Sequence, residues 1–162
     1  APEKWSDDFT ISSGWTTDNH PRFLIDMNND KLLDIVGFGD DGVFVALNKD
    51  GKSFEKAEQW TEEFSKKSGW MGATSERLVV DINKDGMSDV VAFGKNGVSI
   101  ALGTGSKFEE SKEWSDYYGS SSDAGDWKKQ DIRDCIDMNG DGFPDIVGIK
   151  DNNIEVAVNM LK

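Results

Sequence analysis

The chain has 162 residues, 36% of them hydrophobic, and a formal net charge of −13 at neutral pH. That charge argues against nucleic acid and anionic membranes as partners, and no apolar run reaches membrane-spanning length. A single cysteine excludes an internal disulfide, and no nucleophile–base arrangement is visible, so the pattern is that of a binding module and not of an enzyme.

In chain order the sequence predicts a strand around Trp5, with Phe9 four residues on, and a second strand around Gly14-Trp15. An oxygen-rich loop, Asp26-Met-Asn28-Asn-Asp30-Lys-Leu32-Leu-Asp34, follows and runs into the strand Ile35-Val-Gly-Phe38. A polar turn at Gly39-Asp40-Asp41-Gly42 leads to the strand Val43-Phe-Val-Ala-Leu47. The series then restarts. Trp60, Phe64 and Gly69-Trp70 precede the loop Asp81-Ile-Asn83-Lys-Asp85-Gly-Met87-Ser-Asp89 and the strands Val90-Val-Ala-Phe93 and Val98-Ser-Ile-Ala-Leu102. The third copy has Trp114, Tyr118, Asp126-Trp127 and the loop Asp137-Met-Asn139-Gly-Asp141-Gly-Phe143-Pro-Asp145. Its last two strands are Ile146-Val-Gly-Ile149 and Ile154-Glu-Val-Ala-Val158. The loops recur about every 55 residues, so the chain is one repeat domain over 1–162, with repeats at approximately 1–56, 57–110 and 111–162.

The segments are short, β-branched or aromatic, and punctuated by Gly, Asn and Asp, which marks strands and not helices. Strands apolar on both faces, such as Val90-Val-Ala-Phe93, belong in a sheet sandwiched between two others. Four antiparallel strands per unit, stacked face to face, give an all-β fold: a β-propeller with three blades per chain. Each Trp strand is the outer strand of the preceding blade, which leaves the third blade without one. Either the chain is a piece of a longer one, or two copies exchange N-terminal strands and close a six-bladed ring; of the two, the homodimer is the expectation favoured here.

Each loop places oxygens at positions 1, 3, 5 and 9 and a backbone carbonyl at position 7, which is a hard-cation pattern suited to calcium. The expected ligands are Asp26, Asn28, Asp30, Leu32 and Asp34; Asp81, Asn83, Asp85, Met87 and Asp89; and Asp137, Asn139, Asp141, Phe143 and Asp145. Position 12 is Gly37, Ala92 or Gly148, not the glutamate an EF-hand needs. Position 6 wants a left-handed backbone, and Lys31 stands there in the first loop where the others have glycine. The competing reading of these loops is a metal-free Asx-rich turn. Cys135, two residues before Asp137, reads as a small buried apolar group.

The run Asp-x-Asx-x-Asp-Gly-x-x-Asp-Ile-Val-Gly-Phe-Gly resembles the FG-GAP repeat of integrin α-subunit propellers. Gly14-Trp15, His20-Pro-Arg-Phe-Leu24, Asp34-Ile-Val-Gly-Phe-Gly39 and Val43-Phe-Val-Ala-Leu-Asn48 are similar, more specifically, to repeats of mushroom N-acetylglucosamine-binding propeller lectins of the Psathyrella velutina type. The third repeat departs most, with a longer Tyr117–Asp126 loop and no His-Pro-Arg. The resemblance implies calcium-stabilised binding of glycans or glycoproteins, N-acetylglucosamine or a related N-acetylated sugar, at repeated sites between blades. On that reading Trp15, His20, Arg22, Asp40, Asp41, Trp70, Arg77, Trp127 and Arg133 are the candidate sugar contacts, on the face opposite the calcium loops. The tryptophans could equally be blade packing and the arginines partners of structural carboxylates. An integrin-like protein-interaction propeller is the alternative function, and a binding module from a secreted hydrolase a third. Calcium loops favour an extracellular setting over a cytoplasmic one.

Overall fold

The computed structural model describes residues 1–70 and 75–161. Thirteen strands are present among them: β1 (Arg22–Ile25), β2 (Asp34–Phe38), β3 (Val43–Ala46), β4 (Asn48–Lys49), β5 (Ser53–Phe54), β6 (Glu58–Thr61), β7 (Glu76–Val80), β8 (Asp89–Phe93), β9 (Val98–Ala101), β10 (Lys112–Ser115), β11 (Ile132–Ile136), β12 (Asp145–Lys150) and β13 (Asn153–Ala157). They form antiparallel sheets in the orders β1-β2-β3-β6, β7-β8-β9-β10 and β11-β12-β13, plus the small hairpin β4-β5. These are successive blades of a β-propeller. As expected, the Trp60 and Trp114 strands (β6 and β10) are the outer strands of the blade before them, while β13 carries no fourth strand among the described residues.

The two-faced apolar pattern of β8 explains the stacking. Val90 and Ala92 point into a core shared with Val36, Phe38, Val43 and Val45 of the first blade. Val91 and Phe93, on the other face, pack with Ile146, Tyr118 and Trp127 towards the third blade. Alternate side chains of one strand thus serve two interfaces, and every residue of β8 is buried. The loops that follow β1, β7 and β11 lie side by side: the Ser88 hydroxyl donates to the Asp26 carbonyl at 2.8 Å, and Asn159 Nδ2 donates to the Ile82 carbonyl at 2.9 Å.

Three features differ from the sequence expectation. Trp5 lies in no strand, because a strand is defined by its ladder and no described sheet lies beyond it; Trp5 packs on Phe54 at 5.7 Å instead. The segments around Gly14-Trp15 and Gly69-Trp70 are loops, and the first strands start later, at Arg22 and Glu76. Gly14, Gly69 and Gly125 take φ of 93°, 93° and 96°, which closes a tight turn and breaks extended backbone. The hairpin β4-β5 turns through the three residues Asp50-Gly51-Lys52, of which Asp50 and Gly51 are left-handed (φ 58° and 68°), the conformation Asp and Gly tolerate best.

Candidate functional site

The aromatic residue before each Gly-Trp sets up the site. Phe9, Phe64 and Tyr118 are held at φ 59°, 56° and 62°, a left-handed conformation that costs energy for a bulky side chain. An arginine supports each one. Arg22, Arg77 and Arg133 donate from one guanidinium nitrogen to the carbonyls of Phe9 (2.7 Å), Phe64 (3.0 Å) and Tyr118 (3.0 Å). The Arg77 guanidinium lies 5.2 Å from the Phe38 ring and that of Arg133 5.1 Å from the Phe93 ring, each on the preceding blade. Arg77 and Arg133 are 7% and 2% exposed, and their burial pulls both guanidinium pKa values down. Buried and bonded to backbone carbonyls, Arg77 and Arg133 brace the blades, and Arg133 Nε also lies 3.8 Å from Glu76 Oε2. Arg22 makes the same carbonyl bond at the first blade.

The tryptophans sit differently in each repeat. Trp15 lies over Gly37, where a Cβ would stand 2.6 Å from its ring, and Trp127 lies in the same way over Gly148. The second blade has Ala92 at this position, and there the Trp70 ring lies against Gly94 instead, 3.0 Å from where a Cβ would be.

In the first repeat these pieces open into a cleft of about 380 Å³, lined by Asp8, Trp15, His20, Asp40, Asp41 and Phe44 among others. Four of the nine predicted sugar contacts therefore meet in one place. The Trp15 ring stands 5.3 Å from that of His20 and 6.0 Å from that of Phe44, both edge-on. His20 Nδ1 accepts the Thr16 amide at 3.0 Å, so its proton is on Nε2, which donates to Asp40 Oδ1 at 3.3 Å. That bond holds the exposed Asp40 carboxyl below the usual carboxylate range. The turn carrying Asp40 is pinned by the following repeat: the Lys66 and Lys67 amides donate to the Gly39 and Asp40 carbonyls. Phe44 and Asp8 were not anticipated; Phe44's outward position in a strand otherwise buried was the available signal.

In the second repeat Trp70 lines a smaller groove with Lys95, Asn96, Ser99 and Glu113. Ser75 holds the place of His20, and Lys95 and Asn96 those of Asp40 and Asp41. In the third, Trp127 is fully buried.

The acidic loops lie at the other end of the strands from the cleft, since the first joins β1 to β2 while Gly39–Gly42 joins β2 to β3. Their geometry repeats closely. The first aspartate's Oδ2 accepts the amide of position 6 (Lys31, Gly86, Gly142) at 2.8, 3.0 and 2.9 Å. Position 6 is left-handed in all three loops, Lys31 included (φ 73°, 91°, 91°). The amides of positions 5 and 7 bond the oxygens of positions 3 and 5. The ninth aspartate does something else. Asp34, Asp89 and Asp145 are fully buried, and each bonds two amides: Met27 and Asn48 (both 2.7 Å), Ile82 (2.8 Å) and Gly103 (2.7 Å), Met138 (3.0 Å) and Asn159 (2.8 Å). Each carboxylate thus ties the loop to the second residue past the end of β3, β9 or β13. Burial raises the pKa of Asp34, and that of Asp89 to about 6. Among the described residues no three carboxylate, imidazole or thiol groups are disposed to hold one metal ion.

Burial pushes the thiol of the half-buried Cys135 up to about 12. No helix among the described residues is long and apolar enough to cross a membrane.

No family model matches the chain, and no curated protein does. Among solved structures, a lectin of Agrocybe aegerita, described as specifically recognising non-reducing terminal N-acetylglucosamine, superposes with a TM-score of 0.91 at 34% identity over 99% of this chain. The Photorhabdus luminescens Tc holotoxin pore matches 86% of the chain at 13% identity with a TM-score of 0.64, a likeness of fold alone. The chain spans 40% of the length of the Agrocybe lectin chain and 6% of the holotoxin chain.

Proposed function

We propose that this chain is a non-enzymatic, carbohydrate-binding lectin module whose first-repeat cleft takes a terminal N-acetylated sugar such as N-acetylglucosamine. The observation that carries this reading is the meeting of Trp15, His20, Asp40 and Asp41 in one open cleft. An indole face packs against the apolar side of a pyranose, while an imidazole and two carboxylates offer directional partners to its hydroxyls and amide. The likeness to the Agrocybe aegerita lectin supports the choice of sugar. The groove at Trp70 is a second, chemically different site of the same kind. Single sites this shallow bind weakly and gain strength on dense surfaces. A glycan array read with and without free N-acetylglucosamine tests this: retention on N-acetylglucosamine-terminated glycans, displaced by the free sugar, is expected. Retention that the sugar does not displace would contradict it.

Two further parts of the reading concern stability. Calcium is proposed at the three loops, held by the side chains of positions 1, 3 and 5 and the carbonyls of Leu32, Met87 and Phe143; when bound it supplies positive charge to an acidic loop cluster and takes no part in sugar recognition. The open edge of β13, whose counterparts β3 and β9 carry β6 and β10, is proposed to pair with the Trp5 segment of a second copy.

A further inference from the structure

The third repeat has the same framework as the first, with Asp131 at the place of His20, Asn152 at that of Asp41, and different residues at three more positions that face the cleft. Gly39 and Gly94 are replaced by Lys150, Phe44 and Ser99 by Glu155, and Asp8 and Glu63 by Tyr117. The registers confirm the equivalence: Gly37 pairs with Phe44, Ala92 with Ser99 and Gly148 with Glu155.

The replacements close on the tryptophan. Lys150 Nζ lies 5.5 Å from the centre of the Trp127 ring and bonds the carbonyls of Gly125 and Asp126. Tyr117 stands edge-on to Trp127 at 6.3 Å, and desolvation together with the nearby Glu155 charge raises its phenol pKa. Trp127 is fully buried as a result, whereas Trp15 and Trp70 keep part of their rings open. Its indole Nε1 is buried without a hydrogen-bond partner, an uncommon state for a group that usually finds one. A glycine at position 150 would leave that indole as open as Gly94 leaves Trp70.

We infer that the third repeat holds a latent sugar site, closed by the Lys150 side chain with Tyr117 and Glu155, and that the chain therefore binds sugar in its first two repeats and not in its third. This rests on the lectin reading above. It adds that the three sites are unequal, and that the Lys150 side chain is the part of the closure that lies over the Trp127 ring. A cation over an aromatic face is a modest attraction, so removing it exposes the indole without disturbing the Gly148 seat beneath.

The full chain labelled with 5-fluorotryptophan tests both parts, each of six fluorine resonances being assigned by a Trp→Phe substitution. In the wild-type chain N-acetylglucosamine should shift the Trp15 resonance and leave that of Trp127 in place, and Trp127 should show no solvent isotope shift between H₂O and D₂O. In Lys150→Gly, and independently in Lys150→Ala, Trp127 should gain a solvent isotope shift and respond to the sugar, with the other five lines dispersed as before. A Trp127 line that responds to sugar in the wild type, or stays solvent-protected in both variants, overturns the inference. If the variants expose Trp127 but sugar moves neither Trp15 nor Trp127 in any protein, the lectin reading fails and the latent-site claim with it. The isotope shift tells that failure from a failed lid.

Discussion

Replacing Asp89 by alanine isolates the buried ninth aspartate. The carboxylate accepts two amide bonds, from Ile82 at 2.8 Å and Gly103 at 2.7 Å, and losing them orphans two buried donors. Hydrogen bonds to a charged acceptor contribute about 1.5–3 kcal/mol each, so the gross loss is about 3–6 kcal/mol. Burial of the charge offsets part of this. The folded pKa is about 6 against an ordinary 3.8, so the folded chain holds the proton more tightly than the unfolded one. The wild type is therefore favoured at acid pH and loses about 3 kcal/mol of that advantage as pH rises through the window between these values. Asp89→Ala has no such window. Urea denaturation in chelator should find the variant less stable by a few kcal/mol at pH 4, with the gap narrowed by about 3 kcal/mol at pH 7. If the difference between the two proteins did not narrow with rising pH, the buried-clamp account of Asp89 would be wrong. If calcium stabilised only the wild type, the residue would be a metal ligand after all.

Arg77→Leu should destabilise the chain by about 2–4 kcal/mol in urea, through the lost bond to Phe64 and the lost stacking on Phe38; a stable variant that no longer bound sugar would return Arg77 to the ligand contacts. Calcium at a hundredfold excess over its dissociation constant should add about 2.7 kcal/mol per loop by mass action, raising the melting temperature without changing sugar affinity; a change in affinity alone would place the cation at the sugar. Light scattering of the purified chain should give twice the 17.9 kDa of one chain, and deletion of residues 1–9 should abolish that dimer. A folded monomer at micromolar concentration would refute strand exchange.

The blades were legible because their signals are periodic. Val90-Val-Ala-Phe93 reads as two-faced in the sequence and is two-faced in the structure. The outer position of the Trp strands followed from counting units. What sequence spacing hid was direction. Asp34, Asp89 and Asp145 complete a metal motif on paper, yet they turn inward to the backbone, because the strand that begins at each of them carries its side chain into the core. Likewise the arginines align with His20 and Trp15 in sequence, but their partners are carbonyls 13 or 15 residues earlier in the chain, a relation that no local pattern displays. The inequality of the three tryptophans was also hidden: it depends on the motif's last position, Gly39, Gly94 and Lys150, and spacing does not show how close Gly94 and Lys150 come to the tryptophan ring.

Calorimetric titration of the chain with N-acetylglucosamine, beside Trp15→Ala and His20→Ala, tests the central claim most directly. The account predicts weak, saturable binding by the wild type, a marked loss in both variants, and unchanged circular dichroism in all three. Absence of binding by the wild-type chain, or undiminished binding by a folded Trp15→Ala, would contradict it.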